Sequence, residues 1–98
     1  MNSNLHESHQ FHKFLMAFDR ALEQIKGEVD IIQAVKEQTY EESRRTFFTR
    51  IQEIVLADIG DNEELLNFYM DHSELKNEKL NECMDLFIDC INQKDGEN

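Results

Sequence analysis

The chain has no proline and no tryptophan, three glycines, two cysteines, and ten Lys/Arg against twenty-one Asp/Glu in 98 residues. Each scarcity excludes something. A net charge of −11 disfavours direct binding to DNA, RNA or acidic membranes, because phosphate contacts need Lys and Arg. No apolar run approaches the roughly 18–20 residues that span a bilayer. The opening Met1-Asn2-Ser3-Asn4 has neither the basic nor the apolar region of a secretory signal. The expectation is therefore a cytoplasmic protein without a membrane segment. Cys83 and Cys90 stand two helical turns apart, ~10 Å, which exceeds the ~7 Å reach of a disulfide. They are expected as thiols on or beside an apolar face, in a reducing compartment.

Chemical motifs are equally scarce. There is no Gly-rich phosphate loop, no His-Glu-x-x-His, and no Ser or Cys with an obvious base partner. Asp58-Ile59-Gly60-Asp61 resembles the start of a calcium loop, but Tyr69 stands where the closing Glu belongs. His6, His9 and His12 are spaced at three, yet on a helix the outer two diverge by ~120° and cannot converge on one ion. No enzyme activity, cofactor or metal is expected.

What is present suits a packed domain. Forty per cent of the residues are hydrophobic, seven of them Phe, and 32% are charged. That supports one small domain near the lower limit for an independent core, not a disordered chain. Without proline, the glycines at 27, 60 and 96 are the main punctuation, since Gly suits the position just past a helix end. Phe11, Leu15, Phe18, Leu22 and Ile25 recur at steps of four and three, widened by Phe14 and Ala21, which predicts an amphipathic helix over about 8–26. The same phase runs through Val29, Ile32, Tyr40, Phe47, Ile51 and Ile54. One helix over 29–59 fits it. So do two, 29–38 and 40–59, if Thr39-x-x-Glu42 is a capping box.

Asp61-x-x-Glu64 and Asp71-x-x-Glu74 are the next candidate boxes. They predict helices over 62–71, with Leu65, Leu66, Tyr69 and Met70 inward, and 74–93, with Leu80, Met84, Phe87, Ile88 and Ile91 inward. No segment alternates as a strand would. The fold expected is all-α, a bundle of four or five helices forming a single domain over 1–98, with ends at 1–6 and 94–98 that fray.

Charge is unevenly placed. Residues 1–50 carry a net −1 and residues 51–98 a net −10. Glu74, Glu78, Glu82, Asp85 and Asp89 follow one another at steps of four, four, three and four, which lines them along one helix face. The arc is ~80° wide and lies ~150° from the apolar centre. The plainer reading is a solvated face that keeps the protein soluble. Against it, each of the four like-charge steps costs ~0.2–0.5 kcal/mol, and Asp85 and Asp89 lie toward the negative end of the helix dipole. Local rules broken without local gain point to a working surface.

Two smaller features complete the reading. Arg44, Arg45 and Arg50 surround Phe47 and Phe48, but Glu41, Glu42 and Glu53 lie at intrahelical pairing distance, which weakens a nucleic-acid reading. Adjacent bulky pairs, among them Phe47-Phe48 and Val55-Leu56, point Phe48 and Leu56 to the core's edge. The partner-binding candidates are thus Glu74, Glu78, Glu82, Asp85 and Asp89, aided by Asp58, Glu63 and Asp71, with Phe48 as an apolar anchor. The expected function is a small acidic interaction module that masks or bridges a basic protein, as an inhibitor, an immunity or antitoxin-like protein, or an adaptor. The alternative is a regulatory or structural homodimer joined through apolar helix edges, with acids only for solubility.

Overall fold

The computed structural model describes residues 2–96, with side chains for residues 8–94. Among them are five helices and no strand: α1 (Asn2–Ile25), α2 (Val29–Glu37), α3 (Tyr40–Ile59), α4 (Glu63–Asp71) and α5 (Ser73–Gly96). The all-α bundle is as expected, and 29–59 is two helices. Both terminal helices outrun their apolar spacing. Of the ends expected to fray, residues 2–6 and 94–96 carry helical backbone, and residues 1, 97 and 98 lie outside the described residues. No described helix is long and apolar enough to cross a membrane.

The breaks have local causes. Thr39 caps α3: its Oγ1 accepts the Glu42 N–H at 3.2 Å while its hydroxyl donates to the Glu42 carboxylate at 2.9 Å. Gly60 ends α3 at φ 56°, ψ −123°, where an L side chain is strained. The cap of α4 is Asn62, not Asp61; its Oδ1 accepts the Leu65 N–H at 3.1 Å. Asp71 does not form the expected box either. It is the last residue of α4, and the His72 carbonyl accepts the first helical bond of α5 from Lys76 N–H at 2.9 Å. With the α4 cap one residue further on, the short amide side chain satisfies the orphan N–H of Leu65 in place of that of Glu64, which Asp61 would have reached.

The bundle measures 52 × 23 × 21 Å, about two helix diameters in cross-section, so the core is a single seam. Helix α1 packs on α3, α4 and α5. Phe14 anchors one half of the seam, with ring centroids 4.9 Å from Phe18, 5.4 Å from Phe68 and 6.3 Å from Tyr69. Phe47 and Phe87, at 5.0 Å, anchor the other. Several residues of the expected apolar line lie outside it: Val29, Tyr40 and Met70 are 71%, 61% and 64% exposed, and Phe11 is 40% exposed. Val29 and Tyr40 open separate helices, so no common phase carries them inward. Phe11 lies at the margin of an arc centred on Phe14, Phe18, Ala21 and Ile25.

Helix α2 buries no residue fully and rests Ile31, Ile32 and Val35 against the core edge. Polar bonds fix it. Arg50 grips Glu28, just before α2, with Nε and Nη2 each 2.7 Å from a carboxylate oxygen, and the Ser43 hydroxyl donates to the Val35 carbonyl at 3.1 Å. The Arg50 guanidinium holds the Glu28 carboxyl below its ordinary 4.5, with help from Gln24 and against partial burial. The Arg50 and Glu28 side chains are 35% and 22% exposed, so solvent screening reduces this fork to about 1 kcal/mol. Arg50→Ala should cost that much at neutral pH, read as a fall in urea midpoint. Because folding lowers the Glu28 pKa, the contribution is full above about 4.5 and is lost as pH falls through the folded value. Arg50→Ala should therefore decline less than wild type below pH 4.5. Parallel acid profiles would show that the fork contributes nothing.

Candidate interaction surface

Glu74, Glu78, Glu82, Asp85 and Asp89 are all exposed on α5, opposite the buried Leu80, Cys83, Met84, Phe87 and Ile91. Glu82 pairs with Lys79 at 3.1 Å. The side chains of the other four make no hydrogen bond or ion pair among the described residues. The other nearby cation turns elsewhere: Lys76 lies over the Tyr69 ring at 5.4 Å. The stripe is thus a face of carboxylates with one counter-charge of its own.

The dipole cost read from the sequence is smaller than expected. Because α5 continues to Gly96, Asp89 sits seven residues before its end, outside the last turn where the dipole acts. Like-charge repulsion remains.

The supporting residues divide. Asp71 joins the stripe, lining with Glu74, Glu78 and His72 an open depression at the α4–α5 corner. Asp58 does not; on α3, it takes the Arg20 Nε at 2.7 Å and ties α3 to α1. Glu63 is exposed in the first turn of α4 beside Glu64, a position the helix dipole itself favours. Phe48 is half-buried at the core edge, as expected, but the Arg44 guanidinium covers its ring at 4.5 Å and reaches Asn81 of α5 at 3.0 Å. Phe48 is a capped anchor, not a bare one.

The arginines are used, although not as their spacing suggested. Arg50 meets Glu53 at only 3.5 Å and takes Glu28 from another part of the chain. Arg44 reaches Asn81 across helices, and Glu42 is engaged by Thr39. Such cross-helix partners leave no periodic signal in a sequence. Of the histidines, His9 and His12 are exposed and His6 lies outside the described side chains. No group of three metal-capable residues exists among the described residues. Both cysteines are free; burial pushes the Cys83 thiol up to about 11.

The fold and this face are those of a small acidic helical protein. Compared with protein-family models, curated proteins and solved structures, the chain matches none.

Proposed function

We propose that this chain is a non-enzymatic interaction module whose α5 face binds a basic protein and masks or bridges it, in the manner of an inhibitor, an immunity or antitoxin-like protein, or an adaptor. The observation that carries this reading is the stripe: five exposed carboxylates in register on one helix, four of them without a counter-charge among the described residues. A face selected for solubility alone gains nothing from like charges at steps of three and four, which repel. In register, they present a line of negative potential that steers and pairs with Lys and Arg. Asp71 extends the line past the start of α5, and the Phe48–Arg44 stack borders it through Asn81.

The test is affinity capture from the host lysate with wild type beside a variant carrying Gln at positions 74, 78, 82, 85 and 89, both checked by circular dichroism. Wild type should retain a basic protein that the variant misses, and lose it as salt rises from ~0.05 to ~0.5 M, because exposed charges are screened. Identical captures, or none, would reject the reading. The homodimer alternative draws on Leu56 and Leu86, 40% and 49% exposed. Association through such edges persists at high salt, so sedimentation at both ionic strengths separates the two.

A further inference from the structure

An open cleft of about 480 Å³ runs between α2 and the C-terminal half of α5. A smaller notch of about 40 Å³ adjoins it and shares Lys36 and Ile91. The walls are mixed, with Gln38, Ser43 and Asn92 beside the apolar residues of the cleft. Val35 and Ile88 face the cleft and Ile32 the notch, with Ile91 in both. Ile32, Val35 and Ile88 are only half-buried, so two amphipathic helices leave part of their apolar faces uncovered. The wall is also braced: the Ser43–Val35 and Arg50–Glu28 bonds fix α2 in place.

The charge around this cleft is reversed. Lys26, Lys36 and Lys94 come from the turn after α1, from α2 and from the end of α5. Among the described residues no Asp or Glu lines either part, in a chain whose net charge is −11, although Lys36 has an interaction of its own. Lys26 also reaches Glu23 at 2.9 Å, yet Glu23 does not line the cleft.

From this complementarity we propose that the cleft docks an acidic amphipathic helix of a partner protein. The helix would set apolar side chains at i, i+3, i+4 and i+7 between Ile32, Val35, Ile88 and Ile91, with its Asp and Glu toward the lysines. The nine residues of α2 extend ~13 Å, two to three turns of such a helix. A second copy docked cleft to cleft would bring two lysine rims together. A lone acyl chain would stay wet in an open trough, since ligand sites enclose most of a small ligand. This face is distinct from the α5 stripe and calls for the opposite charge.

The probe is a labelled helical peptide of about four turns, with Leu at i, i+3, i+4 and i+7 and Glu elsewhere, beside a twin in which Lys replaces Glu. With the full-length chain labelled with nitrogen-15, the Glu peptide should bind saturably and shift amides over 29–37 and 84–94. The double variant Lys36→Glu and Lys94→Glu, at exposed positions, should weaken it about fivefold. The Gln variant of the stripe should bind it undiminished. The proposal is overturned by absence of saturable binding, by equal binding of the Lys twin, by shifts centred elsewhere, or by unchanged affinity in the double variant. Displacement by submicellar dodecanoate would reassign the cleft to a small amphiphile. Concentration-dependent shifts over the same residues without peptide would reassign it to a second copy. Either result also overturns it.

Discussion

Phe14→Ala should cost about 3–5 kcal/mol, a large share of the roughly 5–15 kcal/mol that holds a small domain together. Phe14 is fully buried and touches rings from α1 and α4: Phe18, Phe68 and Tyr69. A bundle only about two helices across has no second layer of side chains to collapse into the space left behind, so both the lost transfer energy and the cavity count. Urea denaturation should show the midpoint falling steeply, with part of the population unfolded without denaturant. Phe14→Leu keeps most of the volume and should lose far less. Phe11→Ala, three residues earlier at a 40% exposed position, should cost under about 1 kcal/mol. Equal losses at 11 and 14 would mean that the aromatic cluster is not the anchor of this half of the core.

That pair also marks how far the sequence could be read. Periodicity along α1 finds the helix and its buried side, because 3.6-residue geometry ties the face to the spacing. It placed Phe11 on the central line and Phe14 on its flank, and the packing reverses them. The centre of a buried arc depends on where α4 and α5 approach, which is tertiary information. The same division holds elsewhere. Thr39 and Gly60 act through their own few bonds and were legible. Asp61 was a fair candidate cap that Asn62 displaced. The Arg20–Asp58 and Arg50–Glu28 pairs join residues 38 and 22 positions apart, and no local pattern announces them. For the site, the stripe was legible because one helix carries it whole. The lysine-rimmed cleft was not, since its lysines come from three separate places, the turn after α1, α2 and α5.

The stripe itself makes the second large prediction. The triple variant Glu78→Gln, Asp85→Asn and Asp89→Asn removes a charge from every like-charge step of the stripe, and leaves Glu74 at the helix start and Glu82 with Lys79. At ~0.2–0.5 kcal/mol for each of four steps, the variant should be more stable by about 1–2 kcal/mol at low ionic strength. For a domain near 100 residues that is a rise in Tm of roughly 4–15 °C. The gain should shrink as salt approaches ~0.5 M, where wild type is already screened. Calorimetry at two ionic strengths reads both effects. A loss of stability would mean that these carboxylates are compensated in the folded chain, and the surface would need no functional account. A gain gives the acids a physical cost, and a cost kept on an exposed face is what a binding surface shows when its charges serve a partner better than they serve the fold. The same variant then links the two measurements: the substitutions that steady α5 should weaken capture of a basic protein, because both effects arise from one unneutralised line of charge.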